Sequence, residues 1–337
     1  MRGWRFIKVL LAGLLLVGTV SSPPALAQQS NTARLGITVS PVIDEFEIKP
    51  GETKIRQVKV TNPVQQVVTL YPKVLNFTTD NENGQPSFYN LNEKNTRYAL
   101  SDWISFTKNG QPLNFIRVAP NENEVVDVTI KAPDDAEPGG HYGAVLFSTE
   151  PPKVNEDVSQ VSVVGLIGSL MLATVPGDLH QNTIIEEFDA PTVLIDGPAN
   201  FSLLFNNTGN IHSKPQGEIK IRNWSGALVS ALKVNEGGGN ILPESKRRFN
   251  STWTFDWKRL GKYTATAVAS YGNPEQELTS VRTFIIIPIW LMVAVGVLIL
   301  LLIGWLLRRR GRNKPQVKTV IPDLPPDPKQ PRRIIMR

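Results

Sequence analysis

The residues able to do chemistry are few and scattered. No cysteine occurs in the 337-residue chain, and the three histidines, His141, His180 and His212, stand far apart. Thiolate ligands, disulfides and cysteine nucleophiles are thereby removed, and no H-E-x-x-H pair is available to hold zinc. The chain also lacks a G-x-S-x-G nucleophile elbow and a phosphate-cradling G-x-x-x-x-G-K-S/T loop. Asp134-Asp135 and Glu186-Glu187 bring paired carboxylates, but adjacent residues on a strand or turn point different ways, and solvated turns account for them. Asp80-Asn81-Glu82-Asn83-Gly84 offers calcium two carboxylates, Asp80 and Glu82, without EF-hand spacing, and reads as a turn. Lys246-Arg247-Arg248 reads as a loop or edge strand kept soluble by its charge. The expectation is a protein that is not an enzyme and carries neither cofactor nor metal.

Aromatic residues supply the remaining candidate chemistry. They gather between Thr78 and Leu113, where Phe88, Tyr89, Tyr98, Trp103 and Phe106 lie among two Asn-Gly-Gln-Pro sequences starting at Asn83 and Asn109. Asn-Gly is a strong hairpin signal because both residues tolerate positive φ. Aromatics on an elaborated loop bring contact area at small entropic cost, which makes Phe88, Tyr89, Tyr98 and Trp103 the candidate ligand-binding residues. The alternative is that they cover a sandwich edge as a satellite core.

The elements that must position these residues are strands. Between residues 34 and 283, short alternating runs rich in Val, Ile, Thr and aromatics are separated by Pro, Gly, Asn and Asp. In Glu124–Lys131, Val126, Val128 and Ile130 share one face and Asp127, Thr129 and Lys131 the other. A weak internal repeat points to two copies of one fold. Phe46–Gly51 and the strand ending Val60-Thr61-Asn62 parallel Val193–Pro198 and the strand ending Phe205-Asn206-Asn207. Gly140-His141-Tyr142 parallels Gly261-Lys262-Tyr263, each opening a late strand as the tyrosine corner of immunoglobulin-type sandwiches does. The predicted fold is all-β: two tandem immunoglobulin-like β-sandwiches at 34–176 and 178–287, the first with an insertion at 78–113, and one C-terminal transmembrane helix. Val161–Val175 is the expected closing strand of the first sandwich.

Residues 1–27 have the layout of a secretory signal: Arg2, Arg5 and Lys8, then apolar Val9–Gly18, then Ala25-Leu26-Ala27. No charge occurs from Phe284 to Leu307, and the span expected from Pro288 to Leu307 is roughly 30 Å long at 1.5 Å per residue. Trp290 and Trp305 mark its ends, and Arg308, Arg309 and Arg310 place the basic, proline-rich 308–337 tail in the cytoplasm by the positive-inside rule. The net charge of +6 therefore has no single location. The signal holds +3, the tail +8 and the exported residues 28–283 are −5, so nucleic acid is not an expected partner. The last strand runs into the helix at Pro288 with no stalk, which makes the second sandwich a platform at the membrane. A cysteine-free exported region points to a bacterial source, where the five N-x-S/T sequons are incidental.

This layout resembles that of the WxL-interacting cell-surface proteins of bacteria. The residues carrying the resemblance are Ile37–Pro41, Phe46–Gly51, Val60-Thr61-Asn62, the Asn-Gly turn near 83, Pro138–Gly143, Asn206–Asn210 and Leu242-Pro243. It implies a peptidoglycan-binding outer sandwich and a membrane-proximal sandwich that binds a host. The expected function is a membrane-anchored envelope protein binding cell-wall glycan or a surface protein. The alternative is a scaffold that assembles exported partners by β-strand augmentation.

Overall fold

The computed structural model describes residues 36–89, 96–108, 110–151, 166–256 and 259–312. The expected signal, residues 161–165 of the expected closing strand, Asn109 and the tail beyond Arg312 lie outside them. In chain order the first half contains β1 (Thr38–Ser40), β2 (Ile43–Glu47), β3 (Thr53–Thr61), β4 (Val68–Thr78), β5 (Ser87–Tyr89), β6 (Ile104–Lys108), β7 (Gln111–Pro112), β8 (Ile116–Val118), β9 (Asn123–Lys131), β10 (Gly139–Ser148) and β11 (Ile167–Val175). The second half contains β12 (Thr183–Asp189), β13 (Val193–Leu194), β14 (Ala199–Asn207), β15 (Gln216–Asn223), β16 (Leu228–Val234), β17 (Ser245–Trp253), β18 (Gly261–Tyr271) and β19 (Gln276–Ile286), then α1 (Ile289–Arg312).

Each half is a two-sheet sandwich. The first pairs a β1-β3-β9-β6-β7 sheet with a β2-β11-β10-β4-β5 sheet, β8 joining β4. The second pairs β12-β14-β17 with β13-β19-β18-β15-β16. In both, the opening strand is divided between the sheets. β1 runs antiparallel to β3 and β2 parallel to β11, just as β12 runs antiparallel to β14 and β13 parallel to β19. The internal repeat is thus a repeat of topology.

Alternation explains the inner faces. Val126, Val128 and Ile130 of β9 are fully buried with Val58, Val60, Val145 and Phe147 between the first two sheets. Phe201, Phe205, Ile219 and Phe284 occupy the same place in the second sandwich. β10 departs from alternation because it is buried on both faces. Val145 and Phe147 face the inner core, while Tyr142, Ala144 and Leu146 join Leu75, Phe77 and Leu172 in a separate cluster on the outer face of their sheet.

The two Asn-ended strands do the same work. Asn62 is fully buried; its Nδ2 donates to the carbonyls of Gln66, Val118 and Ala119 at 2.8–3.1 Å, and its Oδ1 accepts the Val64 N–H at 3.0 Å. Asn207 donates to Ile211 and Ile241 at 2.8 and 2.9 Å and accepts the Gly209 N–H at 3.0 Å. Each amide closes its own loop and ties it to a second one, satisfying backbone groups that would otherwise be buried without partners.

Two of three local expectations change. The first Asn-Gly does not form a two-residue hairpin: β4 and β5 are joined by residues 79–86, where Asn81 Oδ1 accepts the N–H of Asn83 and Gln85. The second connection is tight, with Lys108 paired to Gln111 and Gly110 at φ +76°. Finally, α1 starts at Ile289, with the Pro288 carbonyl accepting the Leu291 N–H, and it continues past Leu307 through Arg308, Arg309 and Arg310 to Arg312. Arginine is a good helix former, and past Leu307 glycine appears only at Gly311, one residue before the helix ends, so the basic cluster is the last part of the helix. The Arg309 guanidinium lies 5.3 Å from the ring centre of Trp305. α1 is long and apolar enough to span a membrane, and none of the other described residues buries its apolar stretch.

Candidate functional site

The insertion's aromatics are held by the strands around them, and most point inward. Tyr89, on β5 opposite Asn76, is buried, while its neighbour Phe88 is 38% exposed and lies 6.5 Å from Phe77. Trp103 packs on the inner core with its ring 4.4 Å from that of His141. His141 is itself buried, one ring nitrogen 2.9 Å from the Glu137 carbonyl and the other 3.3 Å from that of Ala99. Asn76 anchors the same segment by accepting the N–H of Leu100 and Ser101, both at 2.9 Å. Tyr98 packs on the outer-face cluster and gives its hydroxyl proton to Glu244 of the second sandwich at 3.2 Å. Of the four candidate ligand residues, Phe88 is the one exposed large apolar side chain, with Tyr89 buried and Tyr98 and Trp103 half-buried.

The outer-face cluster is completed by the second sandwich. Leu242 is buried in it beside Leu75, Phe77 and Tyr142. Gly139 and Gly140 admit this approach: the Gly140 N–H donates to the Asn210 carbonyl at 2.8 Å, and a Cβ on Gly139 would stand 2.9 Å from that oxygen. The Tyr142 hydroxyl, expected to tie a loop of its own sandwich, instead meets His212 Nδ1 at 3.4 Å. Glu45 receives Lys214 at 2.9 Å and Asn240 at 2.7 Å, with His212 3.9 Å away. Burial pulls the His212 pKa below its usual range, although Glu45 opposes the shift. For Glu45, burial pushes upward but the bonds from Asn240 and Lys214 outweigh it, and the carboxyl sits below its usual range. A 300 Å³ cavity lies beside this group, lined by His212, Lys214, Gln181, Tyr271 and Asn273, with Lys214 already committed to Glu45.

A second contact gathers the charged motifs that look separately solvated in the sequence. Lys246-Arg247-Arg248 does lie on an edge strand, β17, and Arg248 gathers three carboxylates: Glu82 at 2.6 Å, Glu187 at 2.9 Å and Asp189 at 3.4 Å. The Arg248 N–H also donates to the Glu82 carbonyl at 2.7 Å, so the 79–86 loop covers part of that edge. This explains why the first Asn-Gly sits in a wide loop. A register shift between Ile185 and Glu187 lets Glu186 reach Lys246 while Glu187 reaches Arg248. The calcium reading of Asp80 and Glu82 meets the same geometry, because the Glu82 carboxylate is turned to an arginine. Among the described residues, no group of three His, Cys, Asp or Glu is arranged to hold a metal.

One exposed aromatic feature was not singled out from the sequence. Phe115, 47% exposed just before β8, lies 6.3 Å from the Tyr71 ring on β4, with the Arg117 guanidinium 5.7 Å from its centre. The β4–β8 pairing of Thr69 with Arg117 brings these residues together. The available signal was an aromatic in a polar stretch beside an exposed strand cation.

Residues 45–149, from within β2 to just past β10, match the family model described as WxL Interacting Protein, peptidoglycan binding domain. No curated protein matches the chain. Among solved structures, the chain is similar to the class 5 fimbriae chaperone CfaA, with 13% identity over 74% of this chain and 98% of that one and a TM-score of 0.35. It is also similar to the E. coli chaperone DraB, with 13% identity over 74% and 97% and a TM-score of 0.32. A PapD-like domain of human CEP192 matches at 12% identity over 48% and 93%, with a TM-score of 0.25. The first sandwich is thus similar to the peptidoglycan-binding domain of the WxL-interacting protein family.

Proposed function

We propose that this is a membrane-anchored, non-enzymatic envelope protein whose first sandwich binds cell-wall glycan. The match of residues 45–149 to a peptidoglycan-binding domain carries this reading, and a C-terminal helix of membrane-spanning length fits it. In the proposed topology both sandwiches are extracytoplasmic, the second forms the platform, and the arginines ending α1 mark the cytoplasmic side. Tyr71 and Phe115 form the contact: their ring faces pack on sugar rings, and Arg117 pairs with carboxylates of the polymer. Phe88 is a second contact, whereas Tyr89, Tyr98 and Trp103 support the surface from beneath.

The test is co-sedimentation of the detergent-solubilised full chain with insoluble peptidoglycan. The chain is expected to pellet, Phe115→Ala with Tyr71→Ala to reduce the bound fraction about tenfold, and no soluble fragment to be released. Wild-type protein left in the supernatant overturns the reading. The alternative, assembly of partners by strand addition, rests on β16, a seven-residue edge strand whose one ladder partner among the described residues is β15.

A further inference from the structure

The exposed apolar residues of the second sandwich concentrate at one end. Strand directions define that end: β13, β15, β17 and β19 finish there, while β14, β16 and β18 begin there. Ile195, Trp224, Leu228, Leu260 and Ile285 are all exposed at it, Trp224 at 79%. The opposite end, which meets the first sandwich through 208–215 and 235–244, has Ile211, Ile241 and Leu242 buried instead. Ile184 and Val281 are the exposed large apolar side chains of this sandwich away from that end, and an apolar patch concentrated at one end marks a contact surface.

Its level relative to α1 is fixed by backbone pairing. The Ile287 N–H donates to the Leu194 carbonyl at 2.7 Å, which puts Ile195 level with the last residues before the helix. Gly261 pairs with Ile286, and a Cβ on Gly261 would lie 3.6 Å from the Trp224 ring. From Ile287, the residue bonded to Leu194, only two steps of chain reach the start of α1 at Ile289, at most ~7 Å when extended. The polar zone on each side of a bilayer's hydrocarbon core is about 5–7 Å deep. A helix inserted from Ile289 therefore leaves this end of the sandwich no room to stand clear of the lipid. The same end carries Arg222, Arg259 and Lys262 against Asp196 and Asp256, a balance suited to anionic headgroups.

We propose that the second sandwich is seated on the bilayer, with Trp224 and Ile195 buried in the headgroup zone of the outer surface. Trp224 acts as an interfacial anchor, as tryptophan does beside membrane spans. The seat fixes the height and tilt of the first sandwich above the lipid. The proposal rests on α1 spanning the membrane, so the test reports on both.

The full chain is reconstituted in phosphatidylcholine–phosphatidylglycerol vesicles with or without lipids brominated near the headgroup, and its fluorescence is compared with that of Trp224→Phe. Because the side chain is so exposed, this variant keeps the fold. The emission that Trp224 contributes is expected to fall at least twofold with brominated lipid and to resist aqueous iodide. Quenching by iodide, with no response to brominated lipid, overturns the seating. Trp290→Phe and Trp305→Phe report the helix in the same vesicles. If their contributions respond to brominated lipid while that of Trp224 does not, the seating alone fails; if none responds, the spanning helix fails with it.

Discussion

The two sandwiches share a framework and differ in what is attached to it. Both divide the opening strand between two sheets, and both place a buried asparagine at the end of the next strand, β3 or β14, where it bonds two loops. The first adds β5 to β7 and two 3-10 turns between β4 and β8, and it carries an apolar outer sheet face. The second uses a short β15–β16 hairpin there and offers Leu242 to cover that face. A shared pattern of backbone closure thus permits large differences in the connections.

The strongest way to break this comparison is to remove the shared asparagines. Asn62→Ala orphans three carbonyls and one N–H, and Asn207→Ala orphans two carbonyls and one N–H. At roughly 1–3 kcal/mol per buried group, partly relieved by water, the costs are about 4 and about 3 kcal/mol. Urea unfolding of the detergent-solubilised chain, followed by tryptophan emission, measures them. Near-zero cost for either variant would show that the two clamps are not equivalent.

Leu242→Ala tests the contact between the two sandwiches. The side chain is buried in the other sandwich's cluster, and its truncation is expected to cost about 2–3 kcal/mol. That loss falls on the junction, so limited proteolysis should speed up between the sandwiches while each still unfolds cooperatively. Unchanged proteolysis would make the junction dispensable.

The fold was legible because its signals are local: alternation in Val126, Val128 and Ile130, and an uncharged run before an arginine cluster. The junction was not, because its partners are remote in sequence. Glu45 and Asn240 are 195 positions apart, Glu82 and Arg248 are 166, and Tyr98 and Glu244 are 146. Each of these residues, read alone, has the character of a solvated surface group, and only the folded chain pairs them. The insertion misled for the opposite reason. An aromatic under a loop and an aromatic on top of it have the same composition, and burial separates Tyr89 from Phe88.

Arg248→Ala sharpens the comparison at lower cost. Its three carboxylates form a partly exposed network, and exposed pairs contribute about 0.2–1 kcal/mol each, which sets the loss near 1–2 kcal/mol. Half of the effect should disappear in 1 M salt, where the Debye length is about 3 Å. Because one carboxylate belongs to the first sandwich and two to the second, Glu82→Gln should reproduce the part lost from the junction. A Glu82→Gln variant indistinguishable from wild type would leave Arg248 a device of the second sandwich alone.

The smallest effect expected is a pH dependence of the junction through His212. Burial depresses its folded pKa below the ordinary 6.5, so its contribution is fully present above that value and is lost as pH falls through the folded pKa. The chemistry agrees with the sign: the tautomer protonated at Nε2 can accept the Tyr142 hydroxyl at Nδ1, 3.4 Å away, and a protonated ring has no acceptor left. Glu45, also depressed, loses its contribution in a separate window below 4.5. Junction stability, read from proteolysis rates, should therefore decline in two stages on acidification. His212→Gln should abolish the upper stage and keep the lower one, because Lys214 and Asn240 still hold Glu45. Persistence of the upper stage in that variant would assign it to another group. Its absence from the wild type would mean that proton binding leaves the contact between the sandwiches unchanged.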